Sequence, residues 1–209
     1  MDVTTNDAAE FGNTTQRCEL LCELGDCYTS VGRYADARRC YEQAATVGPD
    51  EAGPYLGLGV VALQENDVEN AELSFRVACR LDGGCAKAYA GLAMIAQQRN
   101  EGRQAFDLYL KSLERDADNL TALLGLFQVS CMMGSFAEVI RHLEAYLRMH
   151  PGDTSVMFCL ATLYTRDSRV SEARRILRDI AAVDPENQDV ANLLEEVERG
   201  LNSRASMTT

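Results

Sequence analysis

Apolar positions in this chain fall three and four residues apart, and over longer range they recur in step every 34 residues. Leu24, Leu58, Leu92, Leu126 and Leu160 hold that step without a gap, followed in turn by Gly25, Gly59, Ala93, Phe127 and Ala161. Around each leucine the i, i+3, i+4, i+7 spacing marks one helix face, as in Leu21, Leu24, Gly25 and Tyr28. A second helix follows in each period. In the first period it carries Tyr34, Ala37, Tyr41 and Ala44 and stops at Gly48-Pro49, because proline lacks the N–H that a helix needs. Gly32 closes the first helix by accepting a left-handed backbone, and Asn66-Asp67 takes over that turn one period later.

The predicted periods are 18–51, 52–85, 86–119, 120–153 and 154–187, with the opening helix running from about Arg17 to Val31. Asp153 is placed to cap the helix that follows it. A last helix from Asn187 is expected to turn Ala191, Leu194 and Val197 inward and Glu195, Glu196, Glu198 and Arg199 to water, closing the array. One such unit cannot bury its apolar face alone, so a fixed period implies stacked helix pairs rather than a globule around one centre. Residues 1–16 are expected to form a flexible N-terminal arm, 17–201 the repeat domain with its capping helix, and 202–209 a flexible tail. Small residues at Gly25, Gly59 and Ala93 let paired helices approach, while Tyr41, Phe75 and Tyr109 fill the space beside them. Phe127 breaks that rule: either the fourth pair splays, or Ser130 and Val139 make room.

Composition supports helices: 46% of residues are apolar, with no Trp and only four Pro. The formal charge of -12, from 32 acidic and 20 basic residues, argues against nucleic acid or an anionic membrane as partner. It suits a basic or apolar ligand, and a solubilising surface gives the same sum. No window reaches the roughly 18 apolar residues of a membrane span. The N-terminal residues show neither the basic region nor the apolar stretch of a signal peptide, so the eight cysteines are read as reduced thiols of a cytoplasmic protein.

Candidate chemistry is thin. Cys18 and Cys22 share a helix face but Cys27 points elsewhere, no C-x-x-C exists, and His142 and His150 stand eight apart, so neither metal nor cofactor is expected. A redox-sensing Cys18/Cys22 pair is the alternative to semi-buried thiols. Gly57-Leu58-Gly59 lies inside a helix with no preceding strand, which excludes a phosphate loop, and no nucleophile elbow is present. The chain is read as not an enzyme. Arg38-Arg39 and Arg174-Arg175 fall on second helices as wet charges near Asp36 and Glu172.

The layout L-G-x-x-Y, A-x-x-x-F/Y-x-x-A, P is carried most fully by Leu24, Gly25, Tyr28, Ala37, Tyr41, Ala44 and Pro49, and it resembles the tetratricopeptide repeat family over roughly four fifths of the chain. The resemblance implies an all-α, right-handed α-solenoid of five helix-turn-helix repeats plus a C-terminal capping helix. It also implies a non-catalytic scaffold or adaptor whose first helices line a concave groove holding an extended or helical peptide segment. On these residues the groove would be lined by Glu19 and Asp26, then Leu56, Val60 and Leu63, then Met94, Gln97 and Gln98. Leu124, Gln128 and Met132 follow, then Phe158, Thr162 and Arg166, with Asp189, Asn192 and Glu196 on the last helix. Relatives that clamp a peptide carboxylate use Lys, Asn and Arg at positions that here hold Cys22, Asp26, Leu56 and Val60, so that mode is not expected. The partner implied is another protein or peptide with a basic or apolar segment, with no nucleic acid and no membrane insertion. The alternative is a self-assembling structural protein of a larger complex.

Overall fold

The computed structural model describes the backbone of residues 4–206 and the side chains of residues 14–200. Eleven helices follow one another: α1 (Thr4–Ser30), α2 (Tyr34–Val47), α3 (Ala52–Gln64), α4 (Val68–Leu81), α5 (Ala86–Gln98), α6 (Gly102–Arg115), α7 (Leu120–Met133), α8 (Ala137–Met149), α9 (Thr154–Arg166), α10 (Val170–Val183) and α11 (Gln188–Ser206). No strand occurs among the described residues. The architecture is an all-α repeat of five helix pairs and a final helix. From Ala52 onward the first helix of every pair begins at the period boundary read from the sequence.

The turns within the five pairs share one backbone feature. Gly32, Asn66, Asn100, Gly134 and Ser168 all adopt positive φ, between 60° and 73°, and they recur at the 34-residue step. At four of the five the next backbone N–H then reaches back five residues, as from Arg33 to the Tyr28 carbonyl at 2.9 Å and from Asp67 to the Ala62 carbonyl at 2.8 Å, whereas in the fourth pair Gly134 itself bonds the Ser130 carbonyl at 2.8 Å. That closure satisfies carbonyls the helix end would leave bare. Asparagine tolerates the left-handed region better than most residues, which is why glycine is dispensable at 66 and 100. Four helix starts are capped by side chains: Asp67 accepts from the Asn70 N–H, Asn119 from Ala122, Asp153 from Val156 and Asn187 from Val190. The Asp153 cap was legible in advance.

The chain divides into two compact units, Met1–Asp116 and Ala117–Thr209, within what the period read as one repeat domain. In the first, α1/α2, α3/α4 and α5/α6 form the pairs, α2 packs on α3 and α4 on α5. Cys18 on α1 meets the Ala44 carbonyl while Gly25 meets Tyr41, so α2 runs back antiparallel to α1. The second unit holds α7/α8 and α9/α10, with α11 against α9 and α10.

The interlock is tight in the first unit. A Cβ added at Gly25 would sit 2.6 Å from the Tyr41 ring, and one at Gly59 would sit 2.6 Å from Phe75. Each ring also faces a glycine of the following repeat: 2.3 Å would separate a Gly57 Cβ from Tyr41, and 2.5 Å a Gly91 Cβ from Phe75. So each aromatic is clamped between two glycines, one within its pair and one across the repeat boundary. Repeat four departs from this. Phe127 is half-buried, and α7 and α8 approach less closely than the other pairs, so the splayed alternative holds. Three periods on from Tyr41 stands Leu143, smaller than the rings of Tyr41, Phe75 and Tyr109 that it follows.

Three expectations need correcting. α1 starts at Thr4, not Arg17, so the helix runs through most of the segment expected to be an arm; extending an existing helix costs little once its nucleus has formed. The remaining arm residues 1–3 and the end of the tail, 207–209, lie outside the described residues. Leu24 is exposed rather than packed, although Gly25 beside it is buried. Among the described side chains of α11 the buried residues are Val190 and Val197, and Ala191 is exposed, a shift of one position at the start of the inward face.

Candidate functional site

In the first unit the first helices α1, α3 and α5 lie side by side, α3 between the other two. A Cβ at Gly53 of α3 would stand 3.6 Å from the Cys22 thiol of α1, which fixes the predicted lining positions of these helices as neighbours. Glu19 is exposed. Asp26 is exposed as a residue, yet its carboxylate accepts the Tyr41 hydroxyl at 2.6 Å, which itself lies 3.3 Å from the Thr29 hydroxyl. Burial, and then this bond to Asp26, push the Tyr41 phenol well above its ordinary value. Gln97 plays the matching part on α5, its side-chain oxygen accepting the Tyr109 hydroxyl at 2.9 Å. Asp26 and Gln97 therefore hold the buried rings of Tyr41 and Tyr109 by their hydroxyls.

Leu56, Val60 and Leu63 are half-buried and pack on the cluster around Phe75, so each offers only part of its surface. Met94 and Gln98 are exposed, Gln98 making one long contact of 3.5 Å to Asn66.

The second unit brings the predicted residues into an actual concavity. Phe158 and Thr162 of α9 face Asp189, Asn192, Leu193 and Glu196 of α11 across an open trough of about 390 Å³. Thr162 returns its hydroxyl to the Phe158 carbonyl at 2.9 Å, leaving the ring half-buried as the apolar floor. Neither the Asp189 nor the Glu196 carboxylate forms an ion pair or hydrogen bond with another described residue, and both are exposed. Leu124, Gln128 and Met132 on α7 do not line this trough. Arg166 turns aside to donate to the Cys131 carbonyl at 3.2 Å, near the C-terminal end of α7, where a cation is favoured.

A larger cavity of about 520 Å³ lies between α8, α9 and α10, away from the first-helix lining. Its polar groups largely satisfy one another: the Tyr164 hydroxyl donates to Glu144, Arg169 stacks on the Tyr164 ring at 4.2 Å, and Arg169 pairs with Glu172 at 3.0 Å. The trough, with two carboxylates lacking a described partner, is the better candidate for a ligand. Among the described residues no group of three His, Cys, Asp or Glu is close enough to share an ion, and no helix is long and apolar enough to cross a membrane.

Comparison with known families agrees with the geometry. Tetratricopeptide repeat models match residues 22–84 and 131–197, together more than half of the chain. The chain belongs to the tetratricopeptide repeat family. Among relatives, the type IV pilus assembly protein PilF of Pseudomonas aeruginosa is 33% identical over 126 residues, 60% of this chain and 45% of that protein. The chain spans less than half the length of the curated relatives it matches. The solved structure of P. aeruginosa PilF superposes with a TM-score of 0.75 at 19% identity, covering 92% of this chain and 88% of that one. The first repeat domain of Spaghetti (RPAP3), solved with the HSP90 peptide SRMEEVD, gives 0.53 at 22% identity, covering 57% and 95%.

Within this tetratricopeptide repeat fold the thiols are quiet. Burial first, and Cys18 beside it second, push the Cys22 thiol up to about 12; burial also raises Cys18, which contacts the Ala44 carbonyl at 3.5 Å. Redox sensors need accessible, readily ionised thiols, so this pair is built for packing. Cys22 is expected to alkylate slowly at neutral pH, faster only as pH climbs toward 12, because the thiolate is the reactive form. Exposed Cys27 is expected to react first; peptide mapping after brief iodoacetamide treatment checks the order, and prior labelling of Cys22 at pH 7 contradicts it.

Sequence reading also missed Gly57 and Gly91 as packing residues, seeing in Gly57 only a failed phosphate loop. The signal was available: Gly57 and Gly91 stand 34 residues apart, each 32 residues after the pair glycines Gly25 and Gly59. Of the Arg38-Arg39 pair, Arg39 meets Asp36, whereas Arg38 crosses to Glu65 just past the end of α3.

Proposed function

We propose that this chain is a non-catalytic scaffold that holds a segment of another protein along its first-helix lining, and that the segment is basic with an apolar anchor. The observation that carries the reading is the α9/α11 trough: an aromatic floor at Phe158, with the Asp189 and Glu196 carboxylates on its wall. Burying the anchor supplies affinity at about 25 cal/mol per Å². The carboxylates select the sign of the flanking charge and speed encounter. Asn192 adds an amide able to pair with backbone.

Two of the similar proteins support holding: PilF is named for pilus assembly, and the Spaghetti domain was solved with a peptide bound. That peptide, SRMEEVD, ends in acidic residues, whereas an acidic trough favours the opposite charge, in keeping with the missing clamp residues at Cys22, Asp26, Leu56 and Val60. Free thiols throughout the described residues support a reducing, cytoplasmic setting.

The test uses the full chain and a synthetic extended peptide of alternating leucine and lysine. Asp189→Lys with Glu196→Lys is expected to weaken its binding at least tenfold while leaving helicity unchanged, since both sites are exposed. The wild-type affinity is expected to fall as salt rises. Binding that survives the double change intact contradicts the proposal. The Leu56/Val60 positions make poorer test sites, because both pack on the Phe75 cluster and polar substitutions there weaken the fold as well.

A further inference from the structure

The outer face of α1 carries an apolar stripe that the rest of the repeat register does not leave open. Leu20 is 58% exposed, Leu24 45% and Val31 67%, and Cys27 is exposed between them. The spacing of four and three puts Leu20, Leu24 and Cys27 on one face of α1, in the rhythm of a helix–helix seam, and Val31 follows just past the end of the helix. One period on, the positions of Leu20 and Cys27 are Pro54 and Val61; two periods on, Ala88 and Ile95; four periods on, Val156 and Leu163. All six are buried. Leu24 follows the same trend: Leu58 and Leu92 are half-buried and Leu160 is buried. At α1, then, the face that later first helices bury against a neighbouring pair lies open.

One residue says what kind of helix fits. The glycines that admit an aromatic from the preceding repeat, Gly57 and Gly91, correspond on α1 to Glu23. A carboxylate there blocks the ring that an in-register repeat would insert, and it offers a negative charge on the flank of the stripe. We infer that α1 is a second docking surface, for an amphipathic helix of a partner protein with an apolar seam and a lysine or arginine abreast of Glu23. The seam continues the repeat's own packing surface, while Glu23 exchanges the aromatic-in-glycine contact for charge pairing.

Cys27 is the test's reporter, being the exposed thiol among the eight and lying on the stripe itself. The probe is a synthetic helix of about three heptads, leucine on its seam and lysine on one flank, with a twin that carries glutamate in place of lysine. Both are added to the full chain carrying Asp189→Lys and Glu196→Lys, so that the trough does not take up the basic probe. Maleimide alkylation of Cys27 is followed by peptide mapping. The lysine helix is expected to slow that reaction about tenfold or more, the glutamate helix to leave it unchanged, and Glu23→Lys to reverse the preference. Leu24→Ser is expected to abolish protection, with circular dichroism confirming the fold. Alkylation that neither helix slows, a preference that Glu23→Lys leaves in place, or protection that appears on concentrating the protein alone, which would seat a second copy there, each overturns the inference.

Discussion

Truncating Phe75 to alanine is expected to destabilise the α3–α5 region by about 3–5 kcal/mol, the usual range for removing a fully buried ring. The ring is 1% exposed and sits between Gly59 of its own pair and Gly91 of the next, so it packs both within a repeat and between repeats. The cavity cannot collapse readily, because glycine has no side chain to move into it from either side. Stability in a repeat array is a sum of unit and nearest-neighbour terms, and this substitution removes part of both. Hydrogen exchange read helix by helix is the appropriate measurement, since a repeat array need not unfold in one step. Amides of α3, α4 and α5 are expected to lose protection; exchange there that stays at the wild-type rate contradicts the clamped-ring account.

The converse substitution tests the other half of the clamp. Gly57→Val places a Cβ where 2.3 Å would separate it from the Tyr41 ring, a distance at which something must shift. Removing a helical glycine ordinarily gains up to about 1 kcal/mol, but overpacking costs about 1–3 kcal/mol or more, and valine adds branching at the tightest point. The expected net loss is about 2 kcal/mol. The chain indicates its own remedy: across the α8/α9 boundary Leu143 stands in the position of Tyr41, and Cys159 in that of Gly57. Tyr41→Leu combined with Gly57→Val is therefore expected to be more stable than the two single losses added together, with a coupling of about 0.5–3 kcal/mol, although it gives up the Tyr41 bond to Asp26. Strict additivity in urea unfolding of the four proteins contradicts the proposed fit of ring to glycine.

The fold was legible because its determinants are local and repeated. Five leucines in step fix the register, and the turn residues Gly32 and Asn66 adopt the positive φ their chemistry allows. What the sequence could not show depends on neighbours. Leu24 has the same spacing as Leu160 but lacks the covering that buries Leu160, so identical pattern gives opposite exposure. The inward face of α11 begins at Val190 rather than Ala191, because the angle at which a terminal helix lies is set by the surface it meets, not by its own period. Side-chain partners behave the same way. Asp26 and Arg166 read as groove charges, yet one holds Tyr41 and the other caps α7. Phe158, Thr162, Asp189, Asn192 and Glu196 follow from the period as first-helix positions, but that they share a trough with Leu193 is a matter of how α11 packs on α9.

The most direct test of the scaffold account is where a bound segment lands. A leucine–lysine peptide carrying a photoreactive benzophenone, cross-linked to the full chain and mapped by mass spectrometry, reports this without assuming the site. Cross-links concentrated on the segments holding Phe158 and Asp189 to Glu196 are the predicted result. Cross-links concentrated in the Arg169–Glu172 cavity between α8, α9 and α10, or scattered with no preference, would contradict it.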